Sequence, residues 1–185
     1  MSSKKNKFNE EECIARAKEG SEKAMLELAN RYSLGIGVKE DESKAYYYSL
    51  QASKFNHADG VYALACCYDG GIGIEKDEKK AVELLEKAAS LGSKEAKTDL
   101  ASYYYSGTNT LEMNKQKALD LYNQAAQEGD SFAMYLLGTF YEKGDMVEKN
   151  VDKAIEFYKK GYDLGDDLCK ASLEKLGLIP VQLYR

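Results

Sequence analysis

Residues 21–56 read SEKAMLELANRYSLGIGVKEDESKAYYYSLQASKFN, and residues 57–92 read HADGVYALACCYDGGIGIEKDEKKAVELLEKAASLG. Laid over one another they share one register, and the register continues downstream. Ala24, Gly60, Ala96 and Ala133 are spaced by 36, 36 and 37 residues. Four and five places later stand Leu28-Ala29, Leu64-Ala65, Leu100-Ala101 and Leu137-Gly138. Then come Tyr32, Tyr68, Tyr104 and Tyr141, each followed three places on by Gly35, Gly71, Gly107 and Gly144. A Lys-Ala pair follows at Lys44-Ala45, Lys80-Ala81, Lys117-Ala118 and Lys153-Ala154, and small residues return at Ala52, Ala88, Ala125 and Gly161. A period in this range marks a repeat architecture and decides the fold before any single residue is weighed.

Each repeat predicts two helices. Ala24, Leu28 and Tyr32 recur at i, i+4 and i+8, one stripe of a 3.6-residue helix. The small residue beside Leu lets a neighbouring helix approach. Gly35 ends the first helix by supplying a left-handed residue. In the loop that follows, Val38 and Ile74 are expected to fold back onto the helix pair. Asp41, Asp77, Asn114 and Asn150 are placed to N-cap the second helix, whose stripe runs Ala81, Leu84, Leu85, Ala88. Neither helix buries its face alone, so the copies must stack. The last two loops lack the second glycine and are expected to differ in shape from the first two.

The expected organisation is a disordered tail over 1–8 and a single α-solenoid domain over 9–177. Within it lie a half-repeat at 9–20, repeats at 21–56, 57–92, 93–129 and 130–165, and a terminal helix at 166–177. In that last helix Cys169 and Leu173 take the places of Ala24 and Leu28. Residues 178–185 form an apolar tail in which Leu178, Ile179, Val181, Leu183 and Tyr184 are expected to cap the last repeat, or otherwise to mediate weak homo-oligomer contact.

The pattern A-x-x-x-L-A-x-x-Y-x-x-G-x-G-V followed by D-x-x-K-A resembles the Sel-one-like repeat family, relatives of the tetratricopeptide repeats. The resemblance covers 21–165 directly. It implies an all-α fold, a right-handed α-α superhelix of helix-turn-helix repeats, and a role as scaffold or adaptor in protein assemblies rather than as an enzyme. Some secreted members carry a disulfide joining the two helices of each repeat. Here no repeat has a cysteine on both helices, so Cys13, Cys66, Cys67 and Cys169 are expected as free thiols in a reducing compartment.

Composition narrows the partner. The net charge of −5 has the wrong sign for nucleic acid or anionic lipid. No apolar run approaches the roughly 18 residues of a membrane span. The N-terminal MSSKKNKFNEEEC lacks an apolar stretch behind its lysines, so no signal peptide is read and a cytoplasmic location is expected. One His and four Cys, with no CxxC, offer no metal site, and no cofactor is implied. Ser172-Leu-Glu-Lys175 matches Ser-x-x-Lys, the alternative of a β-lactamase-like hydrolase, but no Ser-Asp-Asn or Lys-Thr-Gly accompanies it. His57, at the head of the second copy, reads as a capping or exposed polar residue.

With tetratricopeptide-like stacking, first helices line a concave face through positions offset from the core stripe. The residues expected to touch a protein partner, a peptide segment or helix, are Leu26, Asn30, Tyr62, Cys66, Asp69, Thr98, Tyr105, Phe132, Tyr135 and Glu142. Aromatic rings there serve either as anchors or as packing between repeats. A monomer is expected; a self-associating structural subunit is the other alternative.

Overall fold

In the computed structural model, residues 8–180 are described, and they hold ten helices and no strand. The chain divides between Ser93 and Lys94 into two compact units. The first contains α1 (Glu10–Lys18), α2 (Glu22–Leu34), α3 (Glu42–Ser53), α4 (Ala58–Gly70) and α5 (Glu78–Ser90). The second contains α6 (Lys94–Ser106), α7 (Lys115–Gln127), α8 (Ser131–Lys143), α9 (Val151–Asp163) and α10 (Asp167–Lys175). In each unit consecutive helices pack as neighbours, and first helices of adjacent repeats also touch, α2 with α4 and α8 with α10.

The repeat signature has a local cause at every place. Gly35, Gly71 and Gly144 end α2, α4 and α8 in the left-handed region at φ 66°, 72° and 77°. The cap residues Asp41, Asp77, Asn114 and Asn150 accept from the backbone N–H of Lys44, Lys80, Lys117 and Lys153 at 2.9–3.0 Å. Their own N–H groups donate to the carbonyls of Tyr32, Tyr68, Tyr104 and Tyr141. That bond closes the helix-turn-helix on itself. Val38 and Ile74 pack on the clusters built around Leu28 and Leu64, as their loop positions predict.

The core is made of the expected stripe together with aromatic residues from the second helices. Ala24, Leu28, Tyr32, Ala96, Leu100, Tyr104, Ala133 and Leu137 are buried. Tyr141 is only half-buried, its ring stacked on Phe157 at 5.8 Å. Tyr122 and Tyr158 are also buried, on α7 and α9. They occupy the repeat position of Leu85, and a ring at that place demands space. Gly138 supplies it, because a Cβ there would lie 2.5 Å from Tyr158 Cε1. In the terminal pair Gly161 answers Cys169: a Cβ at Gly161 would meet Sγ at 2.3 Å.

One expectation about the loops is corrected. The fourth loop keeps the geometry of the first two although it lacks the second glycine. Met146 takes the left-handed conformation at φ 63°, against 73° for Gly37 and 66° for Gly73. A non-glycine residue there costs about 1–2 kcal/mol, which the surrounding packing overrides. The third loop does differ, with Thr108 closing a turn by donating its N–H to Leu111 O at 2.8 Å.

At the chain ends, Phe8 lies against Arg31, whose guanidinium is 3.7 Å from the ring centroid. Ile179 packs on the cluster of Ala154, Tyr158, Cys169 and Leu173, while Leu178 is exposed. Val181, Leu183 and Tyr184 of the expected cap lie outside the described residues.

Candidate functional face

In the first unit, α2 and α4 carry the residues assigned to partner binding. Leu26 is half-buried and Asn30 exposed; Tyr62, Cys66 and Asp69 are half-buried. Asp69 is 3.7 Å from the ammonium of Lys76. His57 begins α4 without capping it through its side chain. Its Nδ1 instead lies 2.6 Å from Glu22 Oε2, pinning the start of one first helix to the start of the other.

In the second unit, α6 and α8 carry five of the assigned residues, and they do not behave alike. Thr98 is corrected to a structural residue. It is buried, and its hydroxyl donates to Asp130 Oδ2 at 2.9 Å, joining α6 to the N-cap of α8. That bond leaves Thr98 facing the helix junction rather than the open side. Tyr105 packs between repeats: its hydroxyl donates to Asp145 of the next loop, and its ring lies 5.3 Å from Phe140. Lys115 closes the group from the side, 3.2 Å from Asp145. The Tyr105 hydrogen bond, followed by Lys115, holds the Asp145 carboxyl below its ordinary range.

Three assigned residues remain on the open side of α8. Phe132 is exposed and stacks on Tyr135 at 6.1 Å and 20°. Tyr135 is half-buried, with its other contact on Tyr158 at 6.3 Å. Two turns along, Glu142 accepts from the Tyr158 hydroxyl at 2.7 Å and lies 3.4 Å from Lys175. The Tyr158 bond, aided by Lys175, lowers the Glu142 pKa, while burial pushes Tyr158 up to about 12. Sequence reasoning missed Tyr158 as the support of this face. The signal was present in its alignment with Leu85 of the second-helix stripe.

Ser172 and Lys175, the Ser-x-x-Lys match, are engaged elsewhere. The serine donates to Leu168 O at 2.9 Å and the lysine to Glu142. Among the described residues no group of three or more His, Cys, Asp or Glu is arranged to hold a metal ion, and no helix is long and apolar enough to cross a membrane. All four cysteines are thiols.

Comparison with known proteins places the repeat. The Sel1 repeat matches four times, at residues 22–54, 58–93, 94–130 and 131–166. Among curated proteins none matches the chain. A Sel1 repeat protein from Oxalobacter formigenes is similar over 90% of this chain and 74% of its own, at 27% identity and a TM-score of 0.73. The protective antigen c5321 of uropathogenic Escherichia coli, with the same repeat fold, is 28% identical over 90% of this chain and 35% of its own, at a TM-score of 0.72. Immunity protein Pa5087 from Pseudomonas aeruginosa is 29% identical over 82% of this chain and 56% of its own, at a TM-score of 0.63. The fold is thus the all-α solenoid class of these structures.

Proposed function

This chain belongs to the Sel1 repeat family, and on that premise we propose that it is a protein-binding module that takes a partner segment on the open side of its first helices. The family commonly mediates protein–protein interaction. The observation that carries the finer reading is the Phe132–Tyr135 stack on α8, open to water on one side and backed by Tyr158 on the other. Aromatic rings fixed from behind and exposed in front are suited to anchoring a partner, because little side-chain entropy remains to be lost on binding. Glu142, held ionised below its ordinary range, offers a register-setting charge two turns further on. In the first unit Tyr62, Asn30 and Asp69 supply the corresponding groups.

The hydrolase alternative has no support, since Ser172 and Lys175 are each committed to other partners. A reducing, cytoplasmic setting is favoured by four unbridged cysteines, three of them buried. The test is an alanine scan of Asn30, Tyr62, Asp69, Tyr135 and Glu142 against a partner captured from the native source. Losses of tenfold or more at Tyr62 or Tyr135 support the reading. A flat scan in correctly folded variants contradicts it.

A further inference from the structure

The second residue of each first helix is Lys23, Asp59 and Glu95 in the first three copies, then Phe132 and Leu168. A charged residue suits this solvent-facing place. In the second unit the two apolar occupants stay in water, Phe132 at 43% exposure and Leu168 at 46%. The corner between α9 and α10 adds Leu164, at 56%. The Ser131 hydroxyl donates to the Asp166 carboxylate at 3.1 Å. That bond fixes the start of α8 beside the start of α10, so Phe132 next to Ser131 and Leu164 and Leu168 flanking Asp166 share one edge. Single exposed apolar residues are ordinary; large ones gathered on one edge mark an interaction surface.

The rim of this edge is acidic. From Asp163 to Cys169 the chain carries three aspartates and no cation. Asp166 is occupied as the cap of α10, accepting from the Cys169 N–H at 2.8 Å. Asp163 and Asp167 are exposed. The flanking cations are the exposed Lys159 and Lys160 on α9, the ammonium of Lys160 lying 5.7 Å from the Phe157 ring centroid, and the half-buried Lys170 on α10.

We propose that this edge docks a partner segment in which a large apolar side chain stands beside a lysine or arginine. The apolar side chain covers Phe132, Leu164 and Leu168, and the cation meets Asp163 and Asp167. A second copy of this chain is a poorer occupant, because a net charge of −5 on each copy opposes its approach to an acidic rim. The inference goes beyond the α8 face, since Leu164 and Leu168 belong to the α9–α10 corner.

Random-peptide display against the full chain, with anisotropy titration of the recovered peptides, tests it. The expected peptides place a large apolar residue within two positions of Lys or Arg. They weaken at least tenfold when Leu164→Lys is combined with Leu168→Lys, and weaken with Asp163→Asn plus Asp167→Asn. The carboxamide variant leaves every apolar contact in place, so it reports even if the lysine variant folds poorly. Recovered peptides that are acidic or uncharged yet depend on Leu168 overturn the assigned chemistry. Peptides that depend on Tyr135 and ignore the corner overturn the edge and leave the face reading standing. Peptides sensitive to neither, or none recovered, overturn the proposal. So does a dimer in sedimentation that the leucine variants dissociate, because a second copy then occupies the edge.

Discussion

The ammonium of Lys117 lies 4.0 Å from the centroid of the Tyr104 ring, and the same pair recurs in every repeat: Lys44 over Tyr32 and Lys80 over Tyr68 at 4.7 Å, Lys153 over Tyr141 at 4.3 Å. The Lys-Ala signature is thereby explained. The lysine N–H satisfies the cap and its charge rests on the repeat tyrosine, Lys117 also donating to the Tyr104 hydroxyl. Lys153→Gln should cost about 0.5–1 kcal/mol, while Lys153→Arg should retain most of the stability. Urea unfolding of the two variants checks the difference. Equal losses for both would remove the cation–π account.

Two glycines at the same loop position separate conformational strain from crowding. Gly37 and Gly73 both have positive φ, at 73° and 66°. A Cβ at Gly37 would meet the end of the Arg31 side chain at 3.4 Å and Phe8 at an ordinary 3.8 Å, whereas one at Gly73 would lie 2.2 Å from the Glu42 carbonyl oxygen. Gly37→Ala should cost about 1 kcal/mol. Gly73→Ala should cost ~2–4 kcal/mol, because the backbone of α3 must also give way. Thermal melts of both alanine variants decide it.

Tyr158 and Glu142 make stability depend on pH at both ends. Burial raises the Tyr158 hydroxyl from 10 to about 12, so its contribution is complete below pH 10 and is lost as pH climbs toward 12. Glu142 is lowered from 4.5, chiefly by the Tyr158 bond, so its contribution is present above that value and is lost as pH falls below it. Tyr158→Phe should flatten both limbs of the stability–pH curve, and Glu142→Gln mainly the acid limb. An unchanged acid limb in both variants would refute the coupling.

Cysteine reactivity should follow burial. Desolvation raises the thiols of Cys13 and Cys67, and that of Cys169 to about 12, and all three are buried. Cys66 is half-buried. Alkylation of the native protein at pH 8 should modify Cys66 first and the others only on unfolding, with four modified in denaturant. Rapid native modification of Cys169 would contradict the packing against Gly161.

Repeat period, helix boundaries, caps and the buried Ala-Leu stripe were legible because each follows from backbone chemistry within a few residues. Asn9 and Asp166 cap α1 and α10 by the same logic. What the stripe could not reveal depends on neighbours from other repeats. Thr98 sits at a first-helix position offset from the core, yet Asp130, 32 residues on, draws it into the junction. Tyr105 is held by Asp145, 40 residues away. Met146 adopts a glycine conformation because its loop is fixed at both ends by helix caps. Phe132 and Tyr135 follow from their offset on α8, but Tyr158 meets Tyr135 from a second helix, a contact that no first-helix stripe contains.

The most direct test of protein binding on the first-helix face is site-specific photo-crosslinking. A benzoylphenylalanine placed at Tyr62 or at Tyr135 should crosslink the captured partner. The same probe at Tyr47, exposed on the second helix α3, should not. Crosslinks confined to Tyr47, with Tyr62 and Tyr135 silent in folded protein, would contradict the account and move binding to the second helices.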